Sequence, residues 1–108
     1  MAVTTYASGT QSCSAATEHT LTANPETTPG AYQLMLDLSD LAIGEDLTIR
    51  IKEKVISGGT QRVVWPDYVA NVQSPPNWVS PVLMLLNGWD MSITSSGTPS
   101  IPWSIRKA

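Results

Sequence analysis

One histidine, one cysteine and a loop of four carboxylates are the residues here whose types could do chemistry. His19 stands in TEHTL beside Glu18. A Ser-His-Asp relay would need it within reach of a nucleophile, and relay members need not be sequence neighbours. No Gly-x-Ser-x-Gly elbow is present, however, and the alternation around His19 predicts a hydrogen-bonded strand residue. Cys13, in QSCSAAT, has no neighbouring cation to hold a thiolate. As the sole cysteine it makes no internal disulfide, so a buried thiol is expected. One His and one Cys are too few for a structural zinc site. Asp37, Asp40, Glu45 and Asp46 cluster in DLSDLAIGED, but not at the spacing of an EF-hand loop. A solvated loop is the expectation, with weak Ca²⁺ binding the alternative. The scattered acids identify no pair facing across a cleft, as glycosidic cleavage needs. VISGGTQRVV, residues 55–64, is rich in glycine, but a strand follows it. A phosphate cradle needs a helix there. The reading is therefore non-enzymatic, with no catalytic residue, metal or cofactor.

Two groups of residues suit contact better than catalysis. The chain has four Trp and no Phe: Trp65, Trp78, Trp89 and Trp103. Trp contributes a large apolar area with one N–H donor, which suits core or interface anchors. Flat sugar-stacking platforms are the competing use. Arg50, Lys52 and Lys54 alternate along one strand, and Arg62 follows on the next, so four of the six basic residues fall in one hairpin. A solvated face is the plain reading, and docking against an acidic subunit the sharper one. The expected contact residues are Trp78, Val82, Met84, Leu86 and Trp89, with Arg50, Lys52, Lys54 and Arg62.

Strands must position these groups, because helical periodicity is nearly absent. Residues 38–46 allow at most a short turn ended by Gly44. The segment 18–23 predicts a short strand, and 24–30 a loop. Residues 3–12 open with β-branched and aromatic side chains and break at Gly9. Residues 31–38 put Tyr32, Leu34, Leu36 and Leu38 on one face. Residues 47–56 put Leu47, Ile49, Ile51 and Val55 inward, with Glu53 as a polar intruder. A four-residue Ser-Gly-Gly-Thr loop then predicts a hairpin into 61–72, with Gly58 and Gly59 at positive φ. Residues 78–87 follow a rigid QSPPN turn; their run Val82–Leu86 lacks alternation and is expected to be covered on both faces. Residues 88–94 and 100–108 complete seven or eight short strands at sandwich spacing. The fold class expected is all-β: an antiparallel β-sandwich, jelly-roll-like, with little or no helix. Residues 1–12 are read as an extended arm.

Bulk composition agrees. A chain of 108 residues suits one domain. Only 14% of residues are charged, against about 25% in ordinary domains, which fits a surface partly covered by partners. The net charge of −3 leaves no basic excess for phosphate, so no nucleic-acid partner is expected. No apolar run reaches the ~20 residues of a membrane helix. Without a basic segment leading into an apolar one at the N-terminus, synthesis in the cytoplasm is expected.

TEHTL, GAYQLMLDLSDLAIGEDLTIRIKEKVISGGTQRVV and PWSIRKA together resemble small proteins encoded among the structural genes of tailed bacteriophages. In those proteins a G-x-Y-x-L-x-x-D strand leads through G-D/E-x-L-x-x-R into a K-V-x-S-G-G-T-x-R hairpin. A Pro-Trp strand ends the chain. The resemblance covers residues 17–73 and 99–107. Glu53 and the apolar SPVLMLLNGW stretch depart from it. Membership implies a virion component, a capsid decoration protein or a minor head, tail or connector protein. It also implies homo-oligomers, with the major capsid protein or other virion subunits as partners. A carbohydrate-binding module using exposed Trp is the alternative from a different class.

Overall fold

A computed structural model describes residues 2–22 and 25–108. Met1, Ala23 and Asn24 lie outside the described residues. They belong to the expected arm, the expected strand 18–23 and the expected loop 24–30.

Nine strands and no helix are found among the described residues. They are β1 (Thr4–Ser12), β2 (Glu18–Thr20), β3 (Gly30–Asp37), β4 (Asp46–Glu53), β5 (Arg62–Ala70), β6 (Asn77–Val79), β7 (Leu83–Leu85), β8 (Asp90–Ser95) and β9 (Ser100–Lys107). The front sheet runs β1-β9-β3-β6, with β7 also on β3; the back sheet runs β2-β8-β4-β5. Every pairing is antiparallel. The partners nest as 1 with 9, 2 with 8, 3 with 6 and 7, and 4 with 5. A long hairpin rolled into two packed sheets gives this jelly-roll order.

The ninth strand arises where one was expected over 78–87. Pro81 has no N–H to give a ladder, so the strand splits around it. Ser80 bridges the gap: its N–H donates to Leu34 O and its Oγ accepts from Leu34 N, both at 2.9 Å.

Alternation builds the core. Tyr32, Leu34 and Leu36 from the front sheet, with Leu38 just past β3, meet Leu47, Ile49, Ile51, Met91 and Ile93 from the back sheet and Trp89 just before β8, all essentially without exposure. Each such side chain contributes roughly 1.5–3 kcal/mol by leaving water. The N-terminal strand differs from expectation. It does not break at Gly9, and it extends no arm, since Thr4–Ser12 adds to its own sheet beside β9. Gly9 faces Trp103 across that ladder, and a Cβ there would come within 3.3 Å of the indole.

The β4–β5 hairpin exists but opens earlier than expected. β4 ends at Glu53, whose Oε2 accepts the N–H groups of Leu86 and Asn87. Lys54 N then donates to Asn87 O at 3.0 Å. The chain thus leaves the ladder for the β7–β8 loop, and Val55 is 86% exposed rather than inward. Gly58 and Gly59 are not in the left-handed region. Gly59 stands at a close approach, since a Cβ would sit 3.1 Å from Ile56 O; around Gly58 there is open space.

Candidate functional site

His19, Cys13 and the acids of the 37–46 loop are tied into the frame. The His19 ring accepts the Ser14 N–H at Nε2 (3.0 Å), and its Nδ1 lies 3.2 Å from the Gln11 side-chain amide. Cys13 is buried, and burial, followed by the charge of Glu45, pushes its thiol pKa up. Each acid of the 37–46 loop has a local task. Asp37 accepts Ser39 N (3.0 Å), Asp40 accepts Ser100 N (2.7 Å), Glu45 accepts Ala42 N (2.8 Å) and Asp46 accepts the Tyr68 hydroxyl (3.0 Å). Among the described residues no group of three or more His, Cys, Asp or Glu is placed to hold a metal.

The expected contact residues separate into three sets. Val82, Met84 and Leu86 are 62, 87 and 59% exposed, while Leu85 between them is buried. The run is therefore not covered on both faces. Residues 82, 84 and 86 form an outward apolar row at the sheet edge.

The Trp residues go elsewhere. Trp89 is a correction: it is fully buried, so it is no surface contact. Its indole N–H donates to Thr28 O (3.1 Å), and its ring packs against Tyr32 at 4.4 Å and Tyr6 at 5.8 Å. Trp78 is half-buried; its indole N–H donates to Asp67 Oδ2 (2.8 Å) and its ring lies 5.6 Å from Trp65. β6 and β5 are edge strands of opposite sheets, so this pair closes one side of the sandwich.

The basic hairpin is also altered. Lys52 Nζ lies 2.8 Å from Glu18 Oε2, and Arg50 Nη1 lies 3.6 Å from it. Arg62 pairs in register with Glu53, so it does not share the outward face of Arg50 and Lys52. The continuous basic docking face expected over Arg50, Lys52, Lys54 and Arg62 is thus divided.

Sequence reasoning missed the polar cluster this creates. Ser92 Oγ donates to the same Glu18 oxygen at 2.6 Å, and Asp90 sits opposite Lys52 in register. Lys52, Ser92 and Arg50 together hold the Glu18 carboxyl below its usual range. Asp90 is 1% exposed, and its Oδ1 has no hydrogen-bond partner among the described residues. Burial pushes its carboxyl up, against the pull of Lys52 and Gln61. Only strand register joins these residues, which lie on β2, β4 and β8.

Compared with family models, with curated proteins and with solved structures, the chain matches none.

Proposed function

We propose that this chain is a non-enzymatic structural subunit of a tailed-phage virion. It would be a capsid decoration protein, assembling as a homo-oligomer on the major capsid protein or other virion subunits. The observation that carries the reading is the outward apolar row Val82, Met84 and Leu86 on a rigid sandwich edge. Exposed apolar patches of this kind mark interaction sites. The sequence resemblance supplies the virion setting. By analogy of fold, jelly rolls serve both capsid and lectin domains. Mass spectrometry of purified particles tests the proposal. Many copies per particle, and particles that lose stability without the protein, are the expected results. A single ring's worth of copies would move it to a connector or tail. Absence from the particle, or removal without consequence, would sink it.

A further inference from the structure

The charged side chains are sorted along the strand direction. Asp37, Asp40, Glu45 and Asp46 all lie at one end of the sandwich, where β3 stops and β4 starts, with no Lys or Arg. Short bonds gather the loops of this end: Gly44 N to Asn71 Oδ1 (2.9 Å), Asp46 N to Ser96 Oγ (3.0 Å) and Ser100 N to Asp40. Lys54, Arg62, Arg106 and Lys107 lie at the opposite end, where β4 and β9 stop and β5 starts. They share it with two carboxylates, Glu53 and Glu26, each engaged locally. None of these four cations forms an ion pair among the described residues. The other charged groups, Glu18, Arg50, Lys52, Asp67 and Asp90, lie along the strands between the two ends and nearly cancel.

Both ends are also apolar at the tip. At the acidic end Ile43 is 85% exposed on its loop, with Val72 at 60% nearby in the chain that leaves β5. At the basic end Val55, Ile56 and Leu86 are 86, 66 and 59% exposed. The bond from Asn87 Nδ2 to Val55 O and that from Lys54 N to Asn87 O bring these two loops together.

We propose that copies of this chain associate head to tail, the acidic end of one against the basic end of the next, with Ile43 seated against Val55, Ile56 and Leu86. The occupant is a second copy, because each end carries the charge sign and the apolar tip that the other lacks a partner for. Complementary potentials select this orientation, since acidic-to-acidic and basic-to-basic contacts place like charges together. The contact is heterologous, so it generates a ring if the rotation closes and a filament if it does not. The inference rests on the homo-oligomer part of the proposed function and not on where the assembly sits.

Two variants test it, each carrying a change in an exposed loop: Ile43→Arg at the acidic end and Val55→Asp at the basic end. Sedimentation of the native chain should show concentration-dependent species larger than a monomer, weakened as salt rises. Each variant alone should stay monomeric at concentrations where the native chain associates, and an equimolar mixture should associate again through one intact end from each. Circular dichroism checks folding, with Leu86→Asp replacing Val55→Asp if that variant does not fold. A monomeric native chain at every concentration overturns the inference, as does undiminished association of either variant alone or a mixture that stays monomeric. Absence of the protein from virions would remove the proposed function and leave this result standing.

Discussion

The two faces of the β4–β8 pair take three rungs each of the same six and obey different physics. Inward, Leu47, Ile49 and Ile51 meet Met91 and Ile93 in a buried apolar layer, closed at one end by Ser95, whose hydroxyl accepts Gly97 N. Outward, Thr48, Arg50 and Lys52 stand opposite Thr94, Ser92 and Asp90. There the short Asp90 and Ser92 are buried too, flanked by the long Lys52 and Glu18. The inner face needs only size and shape to fit. The outer face needs each charge to find its partner, and Asp90 finds too few. The inner layer should therefore be hard to perturb gently, and the outer one should be tunable by pH.

The largest effect is expected inside. Ile49→Ala removes three buried carbons from the centre of the back sheet and leaves a cavity the neighbours fill poorly. The loss should be about 3 kcal/mol in urea unfolding, or roughly 15 °C in Tm. A loss below about 1 kcal/mol would mean that the layer is looser than its burial implies.

Lys52→Met should come next. It keeps the aliphatic stem but strands Glu18 and Asp90 without their nearest ammonium. Glu18 is partly solvated, so the cost should be about 1–3 kcal/mol at neutral pH, less than for a wholly buried pair. Much of it should return in acid, where both carboxylates protonate. A pH-independent loss would assign Lys52 a packing role only.

This contrast explains what the sequence made legible. Period-2 alternation marked Tyr32, Leu34 and Leu36 as core, along with Leu47, Ile49 and Ile51, and strand spacing marked a sandwich. It failed at Val55, because the chain leaves the ladder after Glu53, whose side chain caps a loop more than thirty residues away while Lys54 N bonds Asn87 O. Residue type misled at Trp89, where an indole expected at a contact surface is locked between Tyr32 and the Thr28 carbonyl. The run Val82–Leu86 hid its alternation because every residue in it is apolar; only Pro81 and the pairing with β3 decide which side faces out. The Glu18–Lys52–Asp90 cluster was invisible for the same reason. Its members meet through register, and register is a property of paired strands.

The smallest effects come from the two carboxylates, and they should differ in sign. Glu18 has a folded-state pKa below its unfolded value, chiefly through its bond from Lys52. Its contribution is present above the unfolded pKa and fades as pH falls through the folded one. Glu18→Gln should therefore cost about 0.5–1 kcal/mol at neutral pH and almost nothing in strong acid. Asp90 is the reverse: burial raises its folded-state pKa, so ionising it at higher pH costs the fold. Asp90→Asn removes that cost and should stabilise the protein by up to about 1 kcal/mol at neutral pH, the gain shrinking as acid protonates the native residue. Thermal melts of both variants across the acid range measure the two slopes. Parallel curves would show that the outer face works as one charge pool, whereas diverging curves would show that the two sites are separate environments on either side of Lys52.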